Sequence, residues 1–177
     1  MGTEYELLEW NEIENTIAEA DDITKLSDLT DKLEAIRVIA KQSKQSLHVQ
    51  NQIGEYRLIV ERKKGEWLKD NIKHEGGKPS TDSTVTFLKD IDITRDESSK
   101  AQRIANLDKK EFERYIKETK DTNTELTVAG VVKLAKQLMR DEKIDDQVKK
   151  MQEKPLELPT GTFDVLVIDP PWKYGTK

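Results

Sequence analysis

Near the end of the sequence Asp169 is followed by Pro170, Pro171 and Trp172, and it is preceded by the run Phe163-Asp164-Val165-Leu166-Val167-Ile168. Two consecutive prolines fix the backbone and offer no N–H, so such a loop holds its carbonyl oxygens stiffly outward. A carboxylate beside a rigid carbonyl makes a pair of acceptors matched to the two hydrogens of an exocyclic amine. An amine held by both hydrogens has its lone pair aimed at an electrophile, which is catalysis chiefly by positioning. Trp172, or Tyr174 beyond it, supplies a flat face on which a base stacks once it has left a helix.

Such a loop needs a strand to place it. Residues 163–168 are short, nearly continuously apolar and rich in β-branched side chains, with Pro159-Thr160-Gly161 before them. That pattern predicts a strand buried on both faces of a parallel sheet. Asp169 then stands at its carboxyl end, where ligands bind in open α/β sheets. Residues 156–177 therefore read as the first strand and catalytic loop of an α/β, Rossmann-like domain. Five residues follow Trp172, so the remaining strands are expected to be missing from this chain.

The preceding residues read as helices. In 177 residues, 37% are charged and 34% belong to the apolar set, which leaves a thin core and favours a mainly α, extended shape. Leu7, Leu8, Trp10, Ile13, Ile17 and Ala20 share one face of a helix over residues 4–20. Asp21-Asp22 breaks it, and Ser27 or Asp28 is expected to cap the next. Apolar positions then recur at Leu26, Leu29, Leu33, Ile36, Ala40 and Leu47, and shift face to Ile53, Tyr56, Val60 and Trp67. This predicts one long helix, or two with a bend near Gly54. The three-four alternation over residues 26–47 suits a helix-helix seam. It suggests a homodimer through the long helix, although packing on the first helix satisfies it equally.

Residues 1–75 form this long-helix leader, and the Gly/Pro/Ser-rich stretch 76–83 is a linker. Residues 84–140 are expected to form a helix-turn-helix-like helical domain. A short helix with Val85, Phe87 and Leu88 precedes the turn Asp90-Ile91-Asp92-Ile93, and Thr94 caps a second helix reaching Asn106. That second helix is expected to expose Arg95, Ser98, Ser99, Gln102 and Arg103, side chains suited to base edges and phosphates in a major groove. Any short helical hairpin has this layout, so plain packing explains it as well. A helix over residues 109–120, a turn at Thr122-Asn123-Thr124-Glu125 and a helix capped by Thr127 follow. Residues 141–155 form a charged spacer ended by Pro155.

Net charge is −5, but residues 1–31 hold ten acidic side chains against one lysine, and residues 32–80 hold eleven basic against six acidic. Contact with a polyanion must therefore come from a local face. Arg62-Lys63-Lys64 is the candidate phosphate cluster of the long helix, with a solvated face as the alternative. There is no cysteine, and His48 and His74 have no spaced partners, so no metal site is expected. No apolar run approaches membrane-spanning length, and the chain reads as cytoplasmic.

Asp169-Pro170-Pro171-Trp172 after an apolar strand resembles the Asp-Pro-Pro-Trp motif of the "MT-A-seventy" N6-adenine methyltransferases. The stretch Arg62-Lys63-Lys64-Gly65-Glu66-Trp67-Leu68, the Gly76-Gly77-Lys78-Pro79 linker and the phrase Asp108-Lys109-Lys110-Glu111-Phe112 also resemble the helical leader of phage-type members. The resemblance implies that Asp169 and Pro170 bind the target amine, that Pro171 stiffens the loop and that Trp172 packs beside the base. It implies S-adenosylmethionine as donor in the full-length family, with none expected to bind this chain because the donor residues come later. The expected function is the DNA-binding amino-terminal portion of such an enzyme, inactive alone, with duplex DNA as partner. The alternatives are a stand-alone helical DNA-binding regulator or a protein-interaction module, and a split enzyme completed by a second polypeptide.

Overall fold

A computed structural model describes residues 10–72 and 88–153, and the described residues are mainly α-helical. The helices are α1 (Trp10–Glu19), α2 (Ile23–Gln42), α3 (Leu47–Asn71), α4 (Arg95–Ala105), α5 (Lys109–Asp121) and α6 (Val128–Glu153), with a 3-10 turn at Leu88–Ile91. The strand expected at 163–168, the linker and residues 84–87 of the expected first recognition-motif helix lie outside the described residues. Contacts divide the chain into two units, Met1–Asp141 and Glu142–Lys177.

From α2 onward each helix begins where a side chain takes an amide that has no intrahelical acceptor. Asp22 accepts from Lys25 N at 3.0 Å and Asp108 from Lys110 N at 2.8 Å. Ser46 accepts from Val49 N, and Thr127 accepts from Gly130 N at 3.1 Å. Thr94 and Glu97 form a reciprocal capping box, so the expected start of α4 is where the sequence placed it.

Two boundaries differ from the sequence reading. α2 starts at Ile23 under Asp22, not under Ser27 or Asp28, because Asp22 is extended and takes the Lys25 amide. Ile23 and Leu26 thereby reach the core a turn earlier. The chain also does not run on from α2 as one helix or bend at Gly54. It breaks at Ser43–Ser46, where Lys44 takes a left-handed φ of 52° and Ser46 restarts α3. Arg57 on α3 then reaches Glu34 on α2, the register of an antiparallel hairpin closed by that short connection.

The hairpin uses up the seam that suggested a homodimer. Leu26, Leu33 and Ala40 are buried with Ile53, Tyr56 and Val60 of α3 and with Ile17 of α1. Tyr56 also stacks on Trp10, ring centroids 5.6 Å apart, and donates its hydroxyl to Glu14 at 2.7 Å, which holds α1 in place.

α3 is buried on more than one side, its apolar residues being spread over several faces. Ile53, Tyr56 and Val60 face α1 and α2. Leu58 joins Ile104, Phe112, Ile116, Leu126 and Val131 in a core built with α4, α5 and α6. Leu68 joins Ile72, Ile23, Ile93 and Ala101. The leader and the region after the linker therefore share one core. Asn51, buried within α3, donates to Thr124 O and accepts from Leu126 N, both at 2.8 Å, so it fixes the segment entering α6.

Of the second unit the described residues are 142–153, the last turns of α6. All are exposed, including Ile144, Val148 and Met151. Among the described residues no helix is long and apolar enough to cross a membrane.

α3 and α4 approach closely at Gly65. A Cβ placed on Gly65 would sit 2.0 Å from Ala101 O and 2.9 Å from Ala105 Cβ, so only glycine lets the two backbones meet. At Gly130 the corresponding neighbour is the Tyr115 hydroxyl at 2.1 Å, the far end of a side chain that can swing aside. Gly65→Ala is therefore expected to destabilise by about 3 kcal/mol or more, reversing the usual helix preference for alanine. Gly130→Ala is expected to stay within about 1 kcal/mol of the parent. Urea denaturation followed by circular dichroism measures both, and equal effects at the two glycines would contradict the crossing.

Candidate functional site

Asp169, Pro170, Pro171 and Trp172 lie outside the described residues. The basic cluster of α3 lies inside them, and its members make internal contacts. The Arg62 guanidinium sits 5.1 Å from the centre of the Phe112 ring, and its Nε pairs with Glu66 at 3.2 Å. Lys63 Nζ donates to Ile17 O at 2.6 Å and to Ala18 O at 3.2 Å, a cation on the negative end of α1. Lys64 is only 5% exposed and lies by Glu61, itself 9% exposed. Burial pushes the Glu61 carboxyl above the usual carboxylate range, with Lys64 and Arg57 partly offsetting it. The cluster that looked like a phosphate stripe is thus largely spent on packing α3 against its neighbours.

On α4 the expected set separates. Arg95 is exposed, and Ser99, Gln102 and Arg103 are half-buried at spacings that keep them on Arg95's side of the helix. Ser98 does not belong with them. It is 2% exposed, on the buried face with Ala101 and Ala105, and accepts from Gln102 Nε2 at 2.9 Å. The expectation that α4 exposes Ser98 is corrected accordingly: small residues are needed where α3 comes so close. The acidic neighbours are also occupied, since Asp96 pairs with Lys100 and Glu97 closes the cap.

A second charged group was not anticipated. Glu34 accepts from Arg37 Nε at 2.8 Å and from Arg37 Nη2 at 2.9 Å, a two-pronged contact, and also pairs with Arg57. Glu125 accepts from Arg37 Nη1 at 2.7 Å and pairs with Lys41. Hydrogen bonding from Arg37, then the charge of Arg57, holds the Glu34 carboxyl below its ordinary range, and the Glu34 contact raises Arg37. Arg37 and Lys41 stand one turn apart, which the sequence shows. Their meeting with Arg57 and with Glu125, 88 residues from Arg37, depends on the hairpin and on Asn51.

These residues border a cavity of about 370 Å³ between the end of α2, the first half of α3 and the start of α6, with residues 125–129 on its wall. Gly54 is part of the lining, and a Cβ there would come 2.9 Å from Leu126 O. Chemically the cavity offers guanidinium and ammonium donors beside the first turn of a helix, an environment for a small anion. Among the described residues no group of His, Cys, Asp or Glu could hold a metal ion.

Comparison with known proteins returns no matching family model, no matching curated protein and no matching solved structure.

Because the folded-state pKa of Glu34 is depressed, its contribution to stability is present above the unfolded carboxylate value and is lost as pH falls through the folded one. Glu34→Gln is expected to lower stability at pH 7 by on the order of 1 kcal/mol, a screened figure because the carboxylate is partly exposed. As pH falls through the depressed folded-state value of Glu34, the difference from the parent should shrink. Urea titrations at pH 7 and at a series of lower pH values test this, and a gap unchanged by pH would contradict it.

Proposed function

We propose that this chain is the helical, DNA-associated leader of an N6-adenine methyltransferase, carrying the amine-gripping loop of that chemistry at Asp169-Pro170-Pro171-Trp172. The observation that carries the reading is this motif directly after the apolar run 163–168. In it Asp169 and the Pro170 carbonyl accept the two amine hydrogens, Pro171 keeps the loop rigid and Trp172 stacks on the base. S-adenosylmethionine, bound by the rest of such an enzyme, would supply the methyl group, and Asp169 with the Pro170 carbonyl would hold the amine nitrogen toward it. The reading assigns donor binding to strands that the family places after the motif.

The leader supports the reading through its packing. Two phrases that resemble the phage-type leader, residues 62–68 and 108–112, are joined by Arg62 over Phe112. Gly65 and Leu68 of the first phrase lie against Ala101 of α4. Residues that read as separate motifs thus act as one clamp on α4. With Lys63 and Lys64 engaged internally, the DNA-facing set is Arg95, Ser99, Gln102 and Arg103.

Fluorescence anisotropy with a labelled duplex is expected to show weak binding that falls steeply with salt. In Arg95→Ala/Arg103→Ala the slope of log affinity against log salt should drop by about 2, one for each lost phosphate contact. Calorimetry on the 177-residue chain should show no S-adenosylmethionine binding. Absence of duplex binding at low salt, or micromolar donor binding, would contradict the respective half of the reading.

A further inference from the structure

We infer that the cavity between α2, α3 and the start of α6 is a phosphate-binding site. Arg37, Lys41 and Arg57 line it, against the single carboxylate of Glu125 on the wall and Glu34 among their partners. Among the residues that line the cavity itself, three cations face one carboxylate. Arg37 spends Nε and Nη2 on Glu34 and Nη1 on Glu125, so it acts as the rigid back of the site. Arg57 gives Nη1 to Glu34 and lines the same cavity. Lys41 stands at the rim, 40% exposed, where an ammonium can follow an entering anion.

The backbone adds to this. Val128 and Ala129 are the first two residues of α6 and line the same cavity. The Gly130 amide is taken by Thr127 Oγ1 and the Val131 amide by Thr127 O, whereas amides at the first two helical positions have no intrahelical carbonyl. The positive end of a 26-residue helix therefore meets the cationic lining. Glu125 works against an anion, which gives the site a directional signature. A volume of about 370 Å³ takes a phosphate with part of the group that carries it. The shared chemistry is a tetrahedral dianion or monoanion, and its source is either a free phosphate ester or the backbone of DNA. The inference stands apart from the methyltransferase reading, since none of these residues belongs to the motif or to the exposed side of α4.

Calorimetry with inorganic phosphate at fixed ionic strength, with chloride as control, is expected to show one site per chain. Lys41→Met should weaken binding about tenfold. Val128→Pro deletes an amide where proline is compatible with a helix start, and it too should weaken binding. Glu125→Gln should tighten binding several-fold, an effect that a purely structural ion network does not give. Circular dichroism checks that each variant is folded. If phosphate also displaces a labelled duplex and Lys41→Met weakens the duplex, the source is the DNA backbone. If duplex binding is unmoved while phosphate still binds, the source is a free phosphate ester. No saturable phosphate heat, or identical affinities in the parent, Lys41→Met and Glu125→Gln, would overturn the proposal.

Discussion

The close contact of α3 with α4 at Gly65 is the constraint from which the rest of the described fold follows. With Ala101 O only 2.0 Å from where a Cβ would stand, the two helices cross backbone to backbone. That contact fixes the face of α4 that must be small, namely Ser98, Ala101 and Ala105, and so fixes the face left outside. It also brings α5 close enough for the Phe112 ring to lie under Arg62. Lys120 at the end of α5 pairs with Glu55 on α3, closing the same arrangement from the other end. Among the described residues of the first unit, each other helix thus packs against α3.

The same geometry decides how the charges are used. A chain with 37% charged residues has few apolar side chains to fill its interior, and α3 meets this by burying the stems of Arg62, Lys63 and Lys64. The Arg62 head lies against a ring, that of Lys63 donates to carbonyls at the end of α1, and the charge of Lys64 acts on Glu61. Cations borne by α2 and α3 meet elsewhere, around a cavity that also receives the start of α6. The two surfaces proposed for binding are therefore an outward side of α4 and a recess that no single helix could form.

Much of this was legible in the residues, and the reasons for the rest are physical. Capping chemistry is local, so Thr94 and Thr127 marked their helix starts correctly. The apolar spacing of residues 26–40 marks a seam, which the expected run to Leu47 overextends past the break, and spacing does not say which helix fills it. The break at Ser43–Ser46 was missed because it rests on Lys44 in a left-handed conformation, where neither Gly nor Pro signals a turn. Gly54 drew attention as a bend because glycine breaks helices, whereas here it admits the Leu126 carbonyl. Ser98 looked like a base-reading side chain because α4 carries polar residues on both faces, and only the approach of α3 shows which face is inside. The cavity lining was beyond reach, since it joins residues from three helices far apart in sequence. The motif at Asp169 lies outside the described residues, and its reading stands on chemistry and resemblance.

Native-state hydrogen exchange under graded denaturant tests most directly whether α3 organises the first unit. Central amides of α3 and those of α4 should be among the slowest and should merge onto one opening transition with the same free energy and denaturant dependence. Opening of α4 at a clearly lower free energy than α3, as an independent unit, would contradict the account.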